Sequence, residues 1–454
     1  MKTSRRSFIK AAGAVGAFNL IPAKVLWGAE APSNQLTRAL IGCGSIAGSE
    51  NHLPYSGSRL VGVCDPDQGR ADGMVARAKG RWGDIKCYKN FIELLADPGV
   101  DIVHICTPPH WHGVQSVMAA NAGKDIWCEK PMTRTVGEGK RVMEVVKAKK
   151  RMFRLNTWFR FKDPFYGFGT PVKPVRQVVE NNLVSNPGEP IRCVFGAGQG
   201  FDWKFIWSGR VNLEPQVCPS NFDWDMWLGP APWKPYNRHR THATFRGYWD
   251  YDAGGLGDMA QHYLDPVQYL LCKDETSPVK IDYVGPKQHP DVVGRFDRIT
   301  LTYADGTEVV LDGDGSLRNE PFLKGTKATI WPVKLPNGHV RSWTTHEQAK
   351  TQMFKMTDNS GKELDVRAIL KDLPEPAPQV TDFMQSVRER KTFALNESNG
   401  FRSCTMFNLG IVAQRLGRGF EFDPVTLHAK NDSAADRLLY QSMRDPWATE
   451  FMKG

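Results

Sequence analysis

The run Gly42-Cys43-Gly44-Ser45-Ile46-Ala47-Gly48, set directly behind the apolar residues Ala39-Leu40-Ile41, restricts this chain more than any other feature. A short apolar run followed by closely spaced glycines describes a β-strand that turns sharply into a helix N-terminus. About 20 residues further on, a second apolar run, Leu60-Val61-Gly62-Val63, ends at Cys64-Asp65-Pro66. Strand, glycines, helix start, second strand and acid in this order have the spacing of a dinucleotide-binding unit. Gly42 permits the tight turn, Gly44 lets the backbone approach a pyrophosphate, and Ala47 is small enough for close helix-to-strand packing. The free N–H groups around Ser45 and Ile46 would then meet the phosphates. The Asp65 carboxylate suits ribose hydroxyls and would repel a 2′-phosphate, so NAD is expected rather than NADP.

The alternation continues. Ile102-Val103-His104-Ile105, Ile126-Trp127 and Met152-Phe153 read as further strands, and helical patterns run near Gln68 to Lys79, from His112 to Asn121 and from Val136 to Lys149. Such βα alternation predicts a doubly wound parallel sheet, a Rossmann domain over 36–156. At 454 residues the chain exceeds what one core usually supports, so a second domain is expected over 157–454. There the pattern changes. Ile299 to Tyr303, the turn Asp305-Gly306 and Val309 to Leu311 predict an antiparallel hairpin, and Val380 to Arg388 and Phe401 to Leu416 predict helices, the second closed by Gly417. The fold class is α/β: a Rossmann domain followed by an α/β domain with a largely antiparallel, open-faced sheet.

The first residues carry a different message. Ser4-Arg5-Arg6-Ser7-Phe8-Ile9-Lys10, a weakly apolar stretch to Leu26 and the small-residue exit Ala29-Glu30-Ala31 look like a twin-arginine export signal over 1–31. Asn19 and Lys24 make the stretch too polar and too short for a good membrane span. The expected address is periplasmic, reached through the twin-arginine translocase, with membrane tethering if the leader stays uncleaved. The nine cysteines are odd in number, and Cys43, Cys64, Cys106 and Cys128 fall on or beside strands expected to be buried, which argues against a disulfide scaffold. The formal net charge of +10 is scattered, and much of it lies in the leader, so nucleic acid is not an expected partner.

Two stretches at carboxyl ends of parallel strands, where such sheets bind ligands, narrow the reading: Thr107-Pro108-Pro109-His110-Trp111-His112 and Cys128-Glu129-Lys130-Pro131. With Gly254-Gly255-Leu256-Gly257-Asp258-Met259-Ala260-Gln261-His262, they resemble the glucose-fructose oxidoreductase, inositol dehydrogenase and rhizopine-catabolism (Gfo/Idh/MocA) family over nearly all of the chain after the leader. The resemblance implies that Lys130 lies beside the nicotinamide and the substrate hydroxyl, and that Asp258 and His262 supply the acid/base group. By analogy it also implies a dimer or tetramer. Cofactor contacts are expected from Gly42, Gly44, Ser45, Ile46, Asp65, Thr107, Pro108, His112, Glu129 and Lys130.

The chemistry agrees with these assignments. Oxidising a secondary alcohol needs a base for the hydroxyl proton, and neutral imidazole titrates in the right range. Asp258 and His262, four residues apart, share a helix face on which the carboxylate could orient the ring or the substrate. A Lys130 ammonium would stabilise the developing alkoxide. On the substrate side Asn156, Arg160 and Trp249 are expected contacts. Trp158, Trp203, Trp207, Trp224, Trp227 and Trp233 offer further flat faces, and the stretch Phe245-Arg246-Gly247-Tyr248-Trp249 is expected to line the pocket. Pro266 cannot donate to the His262 carbonyl, so a kink or a new partner is expected there. No metal site is assigned. The leading reading is NAD-dependent oxidation of a secondary hydroxyl of a sugar, glycoside or cyclitol with tightly bound cofactor. The alternative is redox-neutral glycoside cleavage or epimerisation through a transient keto-sugar, and a third is a non-catalytic carbohydrate-binding protein.

Overall fold

A computed structural model describes residues 35–48, 57–157, 160, 172–196, 203–331 and 354–453. The leader expected over 1–31, and Trp158, lie outside the described residues. Strands β1 (Leu36–Ile41), β2 (Ser58–Cys64), β3 (Lys86–Cys87), β4 (Ile102–Ile105), β5 (Asp125–Glu129) and β6 (Phe153–Asn156) form a wholly parallel sheet ordered β3-β2-β1-β4-β5-β6. Every residue of β4 and β5 is buried, as a sheet covered on both faces requires. The order of strand addition reverses between β1 and β4, with all strands still parallel, which opens a crevice at the strands' carboxyl ends. Strand β3 was not expected: its two residues are exposed and carry no apolar run. Behind the glycine loop stands a 3-10 turn, Ile46–Gly48, and the chain beyond it, 49–56, lies outside the described residues.

The second sheet has nine strands: β7 (Arg192–Gly196), β8 (Lys280–Val284), β9 (Arg298–Thr302), β10 (Glu308–Asp312), β11 (Leu323–Lys324), β12 (Ala328–Trp331), β13 (Lys355–Asp358), β14 (Phe420–Asp423) and β15 (His428–Ala429). Their order is β13-β12-β11-β7-β10-β9-β8-β14-β15, and every described pairing but the parallel β7–β10 is antiparallel. The expected hairpin is present, with Val309 opposite Leu301 and Gly306 in the left-handed region its turn needs.

Two helices hold the domains together. Glu397–Leu416 is capped by Asn396, whose side chain accepts from the Ser398 and Asn399 N–H groups, and is closed by Gly417 at φ +69°. It is buried almost all round because it lies between Val136–Ala148 of the first domain and Gly254–Leu270 of the second. Gly254–Leu270 continues through Pro266, and the next residue back, Asp265, is fully buried. Its N-terminal glycines have a steric cause: a Cβ on Gly255 would collide with the Trp203 carbonyl, and one on Gly257 with Asp252 Oδ1 at 2.3 Å.

A satellite core of Phe222, Trp227, Leu228, Phe245, Tyr248 and Tyr251 belongs to a second-domain segment that arches back over the first domain. Its contacts there are with the end of β2 and the turn after β4. The Asp223 N–H donates to the Pro66 carbonyl (2.8 Å), the Gln68 N–H to the Asn221 carbonyl (3.0 Å), and Trp111 Nε1 to the Trp227 carbonyl (3.1 Å).

Candidate active site

The crevice is a cavity of about 970 Å³, lined at one end by the glycine loop and Asp65 and at the other by Lys130, Asp258 and His262. Gly42 has φ +92°, and a Cβ there would meet the Cys106 carbonyl carbon and oxygen at 2.9 Å, so the turn admits only glycine. A Cβ on Gly44 would meet nothing closer than Arg70 Nη1 at 3.5 Å, which leaves the loop backbone open to the cavity. Ser45 and Ile46 line the same end. Asp65 does two things at once: its oxygens accept from the Cys43 N–H (2.7 Å) and the Asp67 N–H (2.8 Å), while the residue forms cavity wall. The carboxylate therefore shapes the loop it was expected only to complement. Glycines and acid together fit the pyrophosphate and ribose of NAD. Over this end lies the arching segment, with Asn221, Phe222 and His242 in the wall.

Towards the middle, Thr107, Pro108, Glu129 and Asn156 line the cavity. Glu129 Oε1 accepts from Asn156 Nδ2 (2.7 Å) and faces His104 Nε2 at 3.0 Å. Burial pushes the Glu129 carboxyl up to about 7, against the Asn156 hydrogen bond and the Lys130 charge. Burial, Arg38 and Arg154 hold His104 well below its ordinary value, so the ring is neutral, donating to Glu129 and accepting from Arg38 Nη1 at 3.2 Å. His104, Cys106 and Glu129 are the one group among the described residues that offers metal-ligand atoms together, within 4.8 Å. The Arg38 guanidinium beside it opposes a cation.

The Glu129 shift predicts a stability slope. A carboxyl raised from 4.5 to about 7 binds its proton more tightly folded than unfolded, so the cofactor-free protein should lose stability as pH rises through that window and level off above it. The drop is of the order of 3 kcal/mol. Glu129→Gln should flatten it in urea titrations between pH 4.5 and 7.5; an unchanged slope would remove Glu129 as the cause.

At the far end Lys130 Nζ donates to Asp258 Oδ1 (2.9 Å) and to the Asp258 carbonyl (2.6 Å). Arg246 Nε pairs with the same Oδ1 at 3.0 Å, and Trp207 Nε1 donates to Oδ2 at 3.2 Å. Burial opposes ionisation of Asp258, but Lys130 and Arg246 outweigh it and hold the carboxyl well below the usual range. Asp258 is thus a positioning residue that aims Lys130, and it does not orient His262 as the helix spacing suggested. The imidazole is held instead by Thr157, whose Oγ1 lies 3.1 Å from Nδ1. Behind Arg246, at 3.8 Å, sits Asp252, whose carboxyl oxygens have no hydrogen-bond partner among the described residues. Burial and Asp258 raise it well above the ordinary carboxylate value. Gln261, beside His262, clasps three segments: Oε1 accepts from the Met132 N–H (2.7 Å), and Nε2 donates to the Gly400 carbonyl and Ser403 Oγ, each at 3.1 Å.

Three expected contacts lie elsewhere. Arg160 is buried in an ion cluster, its guanidinium forked onto Asp265 (2.9 and 2.7 Å) and Asp274 (2.7 and 2.8 Å), so it cannot serve substrate. The same cluster fixes Asp265 beyond the helix turn that Pro266 interrupts. Trp249 is core, its Nε1 donating to the His289 carbonyl, and Tyr248 is core with it; of that stretch Phe245 and Arg246 reach the cavity. His112 stands behind the wall, with Nδ1 2.6 Å from the Pro131 carbonyl and Nε2 2.8 Å from the Thr107 carbonyl, where it ties the two strand-end loops together. Among the tryptophans, Trp207 and Trp227 line the cavity, Trp203 is core and Trp233 faces solvent. Sequence reading missed Asp252, Lys204, Thr157 and Gln261, and it named Glu129 without the Arg38–His104–Glu129 row behind it. Only that row left a signal, charged residues inside otherwise apolar strands.

The family model for an oxidoreductase NAD-binding Rossmann fold matches residues 36–157, and that for the oxidoreductase-family C-terminal alpha/beta domain matches 168–339 and 337–449. The D-apiose dehydrogenase of Rhizobium rhizogenes is 27% identical over 306 residues, 65% of this chain and 73% of that protein. The scyllo-inositol 2-dehydrogenase (NAD(+)) of Bacillus subtilis is 40% identical over 112 residues, 24% of this chain and 31% of that one. The chain spans about a quarter to a third of the length of the first curated relatives it matches. An aldose-aldose oxidoreductase from Caulobacter crescentus complexed with glycerol superposes with a TM-score of 0.52 at 18% identity, covering 86% of this chain and 100% of that one, and so shares the fold. With both of its domains matched in order, the chain belongs to the Gfo/Idh/MocA oxidoreductase family.

Proposed function

We propose that the protein is an NAD-dependent oxidoreductase acting on a secondary hydroxyl of a sugar, glycoside or cyclitol, with its cofactor retained between turnovers. The observation that carries this reading is the convergence of Lys130 and His262, from different domains, on the cavity that the glycine loop closes at its other end. NAD bound there would accept the hydride from the carbinol carbon. Lys130, aimed by Asp258, donates to the substrate oxygen and stabilises its developing negative charge. His262 takes the hydroxyl proton through Nε2 while Thr157 holds Nδ1. The arching segment encloses the adenosine end, which favours a retained cofactor and, with it, a second reading: a redox-neutral cycle through a transient keto-sugar, for which Asp252 supplies an extra carboxyl.

The test is native mass spectrometry of the purified protein for one NAD per chain, followed by absorbance at the reduced-nicotinamide band with excess substrate and no added nucleotide. A stoichiometric rise that stops at one turnover marks the dehydrogenase. Continued conversion without a lasting rise marks the redox-neutral cycle, and protein that neither holds nor takes up NAD would sink both. Retention matters because we also assign the chain to the periplasm, where no soluble NAD pool recycles the cofactor. Arg5 and Arg6 replaced by Lys should leave it in the cytoplasm, and unchanged export would remove that assignment.

A further inference from the structure

The ribose that suits Asp65 carries adenine on the carbon next to its 2′-hydroxyl, so the base lies close to Asp65. The chain just beyond Asp65 is pinned to the arching segment of the second domain. The Pro66 carbonyl accepts from the Asp223 N–H (2.8 Å), Asp67 forms an antiparallel bridge with Phe222, and the Gln68 N–H donates to the Asn221 carbonyl (3.0 Å). Ribose end and arch are therefore one wall, and Pro66, Gln68, Asn221, Phe222 and His242 all line the cavity there.

Two side chains of the arch are prepared for a flat heterocycle with a hydrogen-bonding edge. His242 has φ +53°, a conformation that a residue with a β-carbon rarely adopts and that persists only where the surroundings impose it. Phe222 backs its ring, with centroids 6.0 Å apart and planes 34° from parallel, and Asp67 Oδ2 lies 3.7 Å from its Nε2. Phe222 is itself fixed in the aromatic core of the arch, against Trp224 and Tyr236, whereas the His242 side chain stays 44% exposed. Burial and the Arg70 charge hold the imidazole below its ordinary value against the pull of Asp67, so the ring is neutral at neutral pH. A neutral ring held in plane is a stacking platform. Asn221, on the same wall, is exposed, and its amide offers a donor and an acceptor in one plane, the complement of the N6 and N7 edge of adenine. Core packing accounts for Phe222 but neither for the strained backbone at His242 nor for an exposed amide in the cavity wall.

We propose that the arch is the adenine-binding site: the base stacks on His242, which Phe222 holds in plane, and turns its N6 and N7 edge to the Asn221 amide. This rests on the reading of the cavity as an NAD site and adds a second-domain grip on the half of the cofactor that takes no part in hydride transfer. The test loads the full-length protein with NAD or with nicotinamide hypoxanthine dinucleotide, which has an oxygen in place of the N6 amino group. Each is chased with isotope-labelled NAD, and release is followed by native mass spectrometry. The parent should release NAD about tenfold more slowly than the hypoxanthine analogue. Asn221→Ala should bring the two rates together, which a general loosening of the arch would not do, since that speeds both by the same factor. His242→Ala should speed release of both about tenfold, because stacking does not distinguish the bases, and His242→Phe should recover most of the loss. Equal release of the two nucleotides from the parent, a preference that survives Asn221→Ala, or release indifferent to His242 overturns the inference and leaves the NAD reading standing. Protein that takes up neither nucleotide sinks both.

Discussion

His262→Ala should lower turnover about 10²- to 10⁴-fold while the protein still carries one NAD per chain, because the base is lost from one domain and the nucleotide is held largely by the other. The ring contacts a neutral hydroxyl, Thr157 Oγ1, so the readout that isolates proton transfer is turnover at unchanged NAD occupancy. Imidazole added to the solution should restore part of the activity, which a purely structural role for His262 would not allow. Full turnover in His262→Ala would overturn the proton-transfer step for the dehydrogenase and the redox-neutral cycle alike.

Lys130→Ala should cost about 10²- to 10³-fold in turnover, and it should also be felt in the fold. Asp258 would then keep one close cation, Arg246, and the Trp207 N–H in a nearly closed site, a destabilisation of about 3 kcal/mol. The sign with pH follows from the depressed carboxyl of Asp258. Its stabilising contribution is present above the unfolded carboxylate value and is lost as pH falls through the lower folded value. Without Lys130 that folded value rises, so in acid titrations the variant's loss should start at the same pH as the parent's but be smaller and level off at a higher pH. Lys130→Ala with Asp258→Ala should lose barely more turnover than Lys130→Ala alone, since the two act as a unit. Simple multiplication of the two single losses would separate them.

What could be read from sequence here follows from the range of the interactions involved. The first sheet announces itself because each strand is a short apolar run, each helix is local, and the glycine loop needs only backbone geometry between neighbours. Gly42 and Gly44 are chosen by turn sterics, and Lys130 and His262 by motifs. Residues that act across the chain leave no such trace. Arg160 looked available because Asp265 and Asp274, more than a hundred positions away, are invisible to local pattern. Trp249 looked like a sugar platform because an indole in a loop reads the same whether the core or the cavity claims it. Asp258 and His262 stand four apart as a pair should, yet Lys130, Arg246 and Trp207 outbid the imidazole for the carboxylate, a competition settled by three-dimensional neighbours alone.

Gln261 separates two motions that two-domain enzymes often combine. One amide joins the loop after Lys130, the helix of His262 and the long helix between the domains, so a jaw-like bite of one domain on the other would have to tear a buried side chain from three partners. The aromatic arch, by contrast, meets the end of β2 through two backbone hydrogen bonds. The molecule is built as a vice under an arch: the jaws are pinned at Gln261, the arch rests on the first domain at the end of β2 and at Trp111, and because the same arch carries Arg246, which pairs with Asp258, a change that loosens it is felt at the catalytic end as well.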